Sequence, residues 1–391
     1  MIRKRMLFDE VMKWVDSEKI IIIKGARQVG KTTLLLSLKD HLSEAGNQTV
    51  YVSADDLMFK KVFESSSLFF KYLKFEHNIE RNAYVFIDEF QYINDAGIFV
   101  KILFDTVKRE NLNIRFIVSG SSSLEISKNR EFLTGRKVEF ELFPFSFIEA
   151  MASEKRYRVK FNIYTDFGDM IDFYNLYKDD IEAEMANYIR WGGYPEIYLE
   201  KDPERKRILF DELISTYIEK DIAGFLHIAN VKSFNNLIKV LAGQIGNLVN
   251  KSELSGTLGI NYKTLGSYLD VLEGTYVFSY VQPYFTNVRK ELTQMPKVYI
   301  HDTGVYYHYY GDKHLGFETI EGKVIENFVY NTFKIQYPND VYFYRTKEKM
   351  EIDFVIKGSG MLLPVEVKFR KRVPVSDMFL RFMDNNNTNQ G

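Results

Sequence analysis

One stretch near the start of the chain, Lys19 to Leu36, most constrains how the chain can fold. It reads KIIIIKGARQVGKTTLLL. Four consecutive isoleucines, Ile20 to Ile23, stop at a lysine and a glycine. A short apolar run bounded in this way predicts a strand buried on both faces of a parallel sheet. From Thr32 onward the spacing of apolar residues is helical, so the stretch predicts a strand, a glycine-containing loop and a helix in that order.

The eight residues of that loop, Gly25 to Thr32, match the pattern G-x-x-x-x-G-K-T. Glycines let the backbone turn so that successive N–H groups face phosphate oxygens, and the positive end of the following helix favours the same anion. Lys31 would contact the β and γ phosphates, and the Thr32 hydroxyl would hold Mg²⁺. We expect nucleotide binding by the following residues: Gly25, Ala26, Arg27, Gln28, Val29, Gly30, Lys31, Thr32 and Thr33. No base-reading motif separates ATP from GTP.

Length and composition exclude several classes of protein. A chain of 391 residues predicts two to four domains. The net charge of −1 means that any nucleic-acid surface is a local patch. The absence of cysteine excludes disulfides, thiol catalysis and cysteine-ligated zinc, and it fits a reducing compartment. The N-terminus lacks the apolar core of a signal peptide, and no apolar run approaches the ~20 residues of a membrane span. We expect a cytoplasmic protein.

A second strand pattern carries two candidate catalytic acids. Ala83 to Phe90, AYVFIDEF, is an apolar run that ends in Asp88 and Glu89, the pattern called Walker B. Asp88 would bind the shell of the Mg²⁺ ion, and Glu89 is placed to polarise the water that attacks the γ-phosphate. In isolation, such a pair also fits a buried strand that ends in two capping acids. The phosphate-binding pattern upstream favours the catalytic interpretation.

A third buried strand is predicted within Asn113 to Ser123, NIRFIVSGSSS, and it ends in a polar cluster. In P-loop ATPases with a catalytic glutamate, a polar residue at this strand end senses the γ-phosphate. Ser119, Ser121 and Ser122 are the candidates, and Ser119 enters the predicted catalytic set. Serines that end a strand or cap a helix are the alternative.

Arg136 precedes a further alternating strand pattern, Val138 to Leu142. An arginine there could stabilise transition-state charge, either in its own chain or across a subunit interface of a homo-oligomer. A solvated surface arginine is the alternative interpretation.

Residues 151–228 are charged, aromatic and mainly helical, with a break at Trp191 to Pro195, WGGYP. A helical segment that follows the sheet in this way resembles the lid of AAA+ ATPases.

Residues 229–300 predict a winged helix-turn-helix. One helix is expected within Lys251 to Ile260 and stops at Gly259, a second begins at Asn261 and runs to about Glu273, and alternating strand residues follow. The second helix would show an outward set with a single cation: Tyr262, Lys263, Ser267 and Tyr268. Because DNA-reading helices usually carry more cations, contact between domains or subunits is the alternative to DNA binding.

Residues 301–391 contain a second candidate catalytic constellation. Two strands are predicted, one carrying Asp353 and the other Glu366 and Lys368, with period-2 alternation placing the last two on one face. Two carboxylates can ligate Mg²⁺ while the lysine orients or activates water for attack on a phosphodiester. Glu326, on a preceding helix, would complete the metal shell with Asp353 and Glu366. A nuclease-like fold with solvated strand-edge charges is the alternative.

Together these pieces resemble a prokaryotic family of AAA+ ATPases that carry a C-terminal DUF4143 domain. The residues that carry the resemblance are GARQVGKTT, VFIDEFQ, SGSSS, LTGR, LFPFSFIEA, WGGYPE, YIEKDI, KVYIHDTG, GKVIENFV, EIDFVI and PVEVK. The resemblance spans nearly the whole chain. It departs from the family at the end, where 23 residues follow Lys368 and relatives generally continue through another helix and strand.

The resemblance implies an α/β fold: a P-loop parallel sheet in residues 1–150, a helical lid in 151–228, a winged helix in 229–300 and a PD-(D/E)XK-like DUF4143 domain in 301–391. It implies ATP and Mg²⁺ as cofactors and an ATPase whose nucleotide state controls a C-terminal, DNA-associated module. A tail that cuts DNA and a non-enzymatic, ATP-gated switch that binds DNA or protein both stay open. A third possibility, action as a helicase alone, is disfavoured because the sequence lacks the additional motifs that we would expect of a helicase.

Overall fold

The computed structural model describes residues 5–120, 135–153, 167–216, 230–285, 294–311, 315–346, 348–358, 361–369, 375–386, 388 and 391. The chain divides into two compact units. The first comprises Met1–Phe145 and Gly274–Tyr276, and the second comprises Ser146–Glu273 and Val277–Gly391. The predictions for Ser121, Ser122 and the YIEKDI segment fall outside the described residues.

The first unit is a five-stranded parallel sheet with helices. Its strands are β1 Ile20–Lys24, β2 Thr49–Ser53, β3 Asn82–Asp88, β4 Asn113–Gly120 and β5 Lys137–Glu141. Its helices are α1 Met6–Met12, α2 Lys31–Glu44, α3 Ser66–His77 and α4 Ala96–Arg109, with short 3₁₀ turns at Leu57–Phe59, Val62–Glu64 and Phe90–Tyr92.

The strand order in this sheet is β2-β3-β4-β1-β5, and every neighbouring pair is parallel. All five residues of β1 are buried, as the isoleucine run predicts for a strand covered on both faces. Strand β1 does not lie beside β2, the next strand in the chain; β4 and β3 lie between them. The carboxyl ends of β1, β4 and β3 therefore meet at one edge of the sheet, where loops of parallel α/β sheets form ligand sites.

The second unit is mainly helical. Its helices are α5 Phe147–Ser153, α6 Phe167–Leu176, α7 Lys178–Trp191, α8 Pro195–Leu199, α9 Pro203–Leu213, α10 Val231–Gly243, α11 Lys251–Leu258, α12 Tyr262–Gly274, α13 Thr303–Tyr310, α14 Gly322–Gln336 and α15 Asp377–Asn385, with a 3₁₀ turn at Phe317–Thr319. Its strands are β6 Phe278–Val281, β7 Lys297–Ile300, β8 Val341–Arg345, β9 Glu351–Gly358 and β10 Met361–Val365. Strands β6 and β7 pair antiparallel, and β10-β9-β8 form a second antiparallel sheet.

The break predicted at WGGYP lies between α7 and α8 and is fixed by a buried carboxylate. Asp302 accepts hydrogen bonds from the Gly193 N–H at 2.7 Å and from the Gly304 N–H at 2.8 Å. Gly192 has a left-handed φ of +73°, and a Cβ built on it would lie 1.7 Å from Asp302 Oδ1. Burial raises the pKa of Asp302 to about 7, although hydrogen bonds from the backbone N–H groups oppose the shift. The turn therefore requires glycine for both conformation and space.

Helices α11 and α12 are joined at Gly259, which has a φ of +63°. The Asn261 side chain accepts a hydrogen bond from the Thr264 N–H at 2.8 Å, as expected of a helix N-cap. The expectation that Tyr268 faces outward is wrong: it is 5% exposed, and its ring packs edge-on against Phe234 at a centroid distance of 5.2 Å. An aromatic ring beside the apolar stripe of the helix gains more from burial than from exposure.

No helix among the described residues is both long and apolar enough to cross a membrane.

Candidate functional site

The loop between β1 and α2 has the backbone that its glycines predict. A Cβ built on Gly25 would lie 2.2 Å from the backbone oxygen of Leu142, so only glycine fits this approach to the residue that follows β5. Gly30 has a left-handed φ of +96° and directly precedes α2. Gln28 is also left-handed, with a φ of +60°. Consecutive N–H groups at such a turn and at the start of a helix form an anion-binding concavity.

The other residues of the loop are either held by contacts with other segments of the chain or exposed at the surface. Ala26 and Val29 are buried, and the Val29 carbonyl accepts a hydrogen bond from the Arg5 guanidinium at 2.6 Å. Arg27 donates to the Tyr92 hydroxyl at 3.0 Å. Thr33 is exposed on the first turn of α2. Arg5 therefore stabilises the loop through the Val29 carbonyl, a contact that local sequence patterns did not indicate.

Lys31 is 4% exposed and folds back over the loop. Its ammonium donates to the carbonyl oxygens of Gly25 at 3.1 Å and Ala26 at 2.7 Å. Burial lowers the pKa of Lys31 to about 8, although the nearby charges of Glu89 and Asp88 oppose the shift. A buried ammonium held mainly by neutral carbonyls gains strongly from an anion, because an adjacent negative charge offsets its lost hydration.

Asp88 is the point at which the two motifs meet. It is 1% exposed at the end of β3. Its Oδ2 accepts hydrogen bonds from the Thr32 hydroxyl at 2.6 Å and the Tyr51 hydroxyl at 2.8 Å. A carboxylate and a threonine hydroxyl within hydrogen-bond distance form a set of hard oxygen donors, which is the set that Mg²⁺ prefers. The residues predicted to hold the metal ion therefore fit it.

The other oxygen of Asp88 is bound by Ser119, at the end of β4. Ser119 is fully buried, and its hydroxyl donates to Asp88 Oδ1. The same oxygen accepts the Glu89 N–H at 3.0 Å. The structure thus brings together Thr32, Asp88, Glu89 and Ser119, which come from three separate segments of sequence.

Glu89 has a left-handed backbone, with a φ of +51°. A non-glycine residue in this region is strained, and such strain is concentrated at functional sites. Its carboxylate accepts a hydrogen bond from the side-chain amide of Gln91, which is 9% exposed. A Cβ built on Gly120 would lie 2.9 Å from Gln91 Oε1, so the end of β4 also packs against this glutamine.

Sequence reasoning missed Tyr51 and Gln91. Tyr51 lies at a half-buried position of β2, whose alternating burial is that of an edge strand. Only the pairing of β2 with β3 brings its hydroxyl to Asp88. Gln91 lies two residues after Glu89, so its proximity to that acid was available from the sequence.

Arg136 is not brought to the phosphate-binding loop of its own chain. Its guanidinium forms an ion pair with Asp105 at 3.1 Å, and its carbonyl accepts the N–H of Ile20, the first residue of β1. The loop follows the other end of that strand, ~13 Å away for five residues at about 3.3 Å each. The suggested role within the same chain is therefore wrong, whereas a role across a subunit interface stays a prediction.

In the second unit, Asp353, Glu366 and Lys368 lie together, but not as predicted. Strand β10 ends at Val365, so Glu366 and Lys368 follow the strand rather than lying in it. Asp353 accepts the Val367 N–H at 2.8 Å, and the Lys368 ammonium is 3.8 Å from Asp353 Oδ2 and also pairs with Glu366. Burial would lower the pKa of Lys368, but the hydrogen bond to Glu366 and the charge of Asp353 raise it. Lys368 is therefore held as a cation between two carboxylates.

Glu326 makes its hydrogen bonds outside the predicted metal shell, although it is close enough to Asp353 and Lys368 for their charges to interact. Its carboxylate accepts hydrogen bonds from the Lys297 ammonium at 3.0 Å and the Tyr299 hydroxyl at 2.6 Å, and Lys297 also pairs with Glu351 at 2.5 Å. Across the described parts of the chain, no three histidine or acidic side chains are grouped so that they could hold a metal ion. The predicted shell of Glu326, Asp353 and Glu366 is thus not assembled in this arrangement.

Comparison with protein families agrees with the motifs. Residues 17–151 match the model of an AAA domain, AAA_14. Residues 321–387 match a domain of unknown function, DUF4143, and residues 182–316 match another, DUF8612. The chain therefore carries an AAA_14-type P-loop domain followed by DUF4143, which confirms the resemblance found from its motifs. The DUF8612 match was not anticipated.

The chain also has relatives over nearly its full length. An uncharacterized protein of Haemophilus influenzae is 25% identical over 98% of this chain and 92% of its own length. An uncharacterized protein of Methanocaldococcus jannaschii is 24% identical over 92% of this chain and 81% of its own length. Among solved structures, a point variant of Thermotoga maritima RuvB aligns with 16% identity over 73% of this chain and 92% of that chain, with a TM-score of 0.35.

Proposed function

We propose that this protein binds and hydrolyses ATP in a Mg²⁺-dependent reaction, and that its nucleotide state controls a C-terminal module that associates with DNA. The observation that carries the first part is the 2.6 Å hydrogen bond between Thr32 and Asp88. It joins the end of the phosphate-binding loop to the end of β3 at the sheet edge where phosphates bind in folds of this kind.

The proposed roles follow from the contacts. Loop N–H groups and the start of α2 bind the phosphates, and Lys31 exchanges its loop carbonyls for phosphate oxygens. Thr32 and Asp88 would hold Mg²⁺, which when bound neutralises charge on the β and γ phosphate oxygens. Glu89 orients the attacking water and accepts its proton. Ser119 and Tyr51 orient Asp88 through hydrogen bonds to its two oxygens.

The experiment that tests the ATPase is phosphate release from Mg²⁺–ATP by the full chain. Glu89→Gln should lower turnover by about 10²-fold or more, as expected on loss of a general base, while ATP binding persists. Lys31→Ala should abolish binding. Glu44→Gln, on the exposed end of α2, is the matched control and should behave as wild type. Unchanged turnover in Glu89→Gln and Lys31→Ala would refute the assignment.

The second part of the proposal concerns residues 151–391, divided as predicted into a lid at 151–228, a winged helix at 229–300 and a PD-(D/E)XK-like domain at 301–391. Two features support a winged helix: the tight connection of α11 to α12 and the antiparallel β6–β7 pair that follows. The sheet β10-β9-β8 with Asp353 at its centre supports the nuclease-like fold.

A specific observation favours the alternative function, an ATP-gated binding switch that cuts no DNA. Lys368 lies between Asp353 and Glu366 and pairs with both, and Glu326 is bound to Lys297 and Tyr299. Each of the three carboxylates that would hold the metal ion is thus already paired with a lysine. In this version the C-terminal part binds DNA or protein in response to nucleotide.

A further inference from the structure

A pocket in the second unit has a lining that neither the ATPase nor the nuclease-like constellation uses. Its volume is about 430 Å³. The start of α11, one side of α12, the end of β6 and the segment before β7 line it. Its polar side chains include Lys251, Asp270, Glu273, Tyr280, Gln282 and Gln294.

Tyr280 contributes a hydroxyl that is buried and has no hydrogen-bond partner among the described residues. Buried hydroxyl groups in native proteins are almost always paired, so an exception calls for an explanation such as a missing ligand. Burial raises the pKa of Tyr280, and the charges of Glu273 and Asp270 raise it further. The hydroxyl is therefore neutral and keeps its lone pairs available to a donor.

Asp270 and Glu273 lie one turn apart on α12, so their side chains are neighbours on the helix surface. Neither forms an ion pair with any residue that the structure describes. Glu273 is partly exposed to solvent, yet its packed surroundings raise the pKa of its carboxyl group. The charge of Lys334 opposes this shift, and the charge of Asp270 adds to it. Among the described residues of the lining, Lys251 is the one cation, so the two carboxylates outnumber the cations there.

We propose that this pocket binds an organic cation of the ammonium or guanidinium type. Asp270 and Glu273 are its counter-ions, and the Tyr280 hydroxyl and the side-chain carbonyl oxygens of Gln282 and Gln294 accept its N–H groups. The donor is either a free polyamine or the end of a lysine or arginine side chain of another protein, since both present the same chemistry. The proposal goes beyond the ATPase and does not depend on it.

Two other ligand classes fit the pocket less well. A phosphate group would be repelled by the carboxylates of Asp270 and Glu273, which outnumber the cations on the described lining. A bare metal ion needs converging ligands, which the described residues do not supply here, and the pocket is far larger than one ion. An extended cation with several N–H donors matches both the charge and the size.

The test is calorimetric titration of the full chain, without nucleotide, with spermidine and separately with the peptide acetyl-Gly-Arg-Gly-amide at constant ionic strength. Binding of either probe is expected, and the Asp270→Asn/Glu273→Gln variant should weaken it by about tenfold or more, as for loss of hydrogen bonds to charged groups. Asp172→Asn, on the exposed face of α6, is the control and should leave the affinity unchanged. Spermidine binding alone identifies a free amine as the source, and peptide binding alone identifies a protein side chain.

Tyr280→Phe separates a ligand-binding role from a structural one. Removing an unsatisfied buried hydroxyl should leave the melting temperature of the ligand-free protein unchanged or raised. The same variant should bind the active probe several-fold more weakly than wild type. Absence of binding by both probes, or equal affinity in wild type and the Asp270→Asn/Glu273→Gln variant, would overturn the proposal.

Discussion

At the scale of single residues, the candidate site depends on one carboxylate and one ammonium. Asp88 accepts hydrogen bonds from Thr32, Tyr51 and Ser119 and from the Glu89 backbone, so both of its oxygens are oriented. Lys31 is buried against two loop carbonyls. A fixed carboxylate and a desolvated cation are preorganised, which lowers the cost of orienting groups when a nucleotide binds.

The depressed pKa of Lys31 predicts a pH dependence of ATP binding. The nucleotide favours the charged ammonium, whose pKa in the free protein is about 8. Above this pH the lysine must take up a proton to bind the anion, so the dissociation constant should rise, approaching tenfold per pH unit. Fluorescent ATP-analogue titrations between about pH 7 and 9.5 would measure it. Lys31→Arg stays charged throughout this range, and its profile should be flat. Equal slopes for both proteins would contradict the prediction.

At the scale of elements, the turn between α7 and α8 combines a left-handed glycine with a buried carboxylate from the segment before α13. Asp302 binds backbone N–H groups on both sides of this contact. Its raised pKa means that its protonated form favours folding. This stability contribution is complete below the unfolded pKa of 3.8 and is lost as pH rises through about 7.

Gly192→Ala should destabilise the protein far more than glycine conformation alone explains. The new methyl group would overlap the Asp302 carboxylate at 1.7 Å, in addition to the strain of a φ of +73°. We expect a loss of more than ~2 kcal/mol in the free energy of unfolding, measured with denaturant. Gly46→Ala, with a φ of +86° and nothing within 4 Å of the new Cβ, isolates the strain and should cost about 1 kcal/mol.

The overlap can be tested further in an Asp302→Ala background, which removes the carboxylate. There the cost of Gly192→Ala should fall to the strain-only value of the Gly46→Ala control. Equal costs for Gly192→Ala and Gly46→Ala in the wild-type background would show that Asp302 does not fill this space.

At the scale of the whole molecule, the chain combines an AAA-domain unit with a second unit that holds the DUF8612 match and DUF4143. Four acidic side chains of the second unit lie in two groups, each around one lysine: Asp353 and Glu366 around Lys368, and Glu326 and Glu351 around Lys297. Because Lys368 already lies between Asp353 and Glu366, where a metal ion would bind, these contacts favour the proposed binding switch over the proposed nuclease.

We therefore expect plasmid and branched DNA to remain intact with Mg²⁺ or Mn²⁺, with or without ATP. The affinity for a DNA duplex, measured by fluorescence anisotropy, should instead differ between the nucleotide-free protein and the ATP-loaded Glu89→Gln variant. The slope of log affinity against log salt then measures the number of phosphate contacts. Metal-dependent cleavage by wild type that is lost in Asp353→Ala would establish a nuclease and contradict this expectation.

The sequence by itself determined the local elements of the ATPase site. The isoleucine run, the G-x-x-x-x-G-K-T loop and the apolar strand ending in Asp88 and Glu89 are patterns of neighbouring residues, and periodicity and glycine conformation suffice to interpret them. The family match confirms the AAA domain that these patterns predict.

Only the tertiary structure decided which distant side chains meet. The order of strands places β4 between β1 and β3 and so delivers Ser119 to Asp88, and the pairing of β2 with β3 delivers Tyr51. The fold likewise commits Arg136 to Asp105 and Glu326 to Lys297. Strand order and partner choice depend on packing between segments far apart in the chain, whereas local periodicity records only which face of each element is buried.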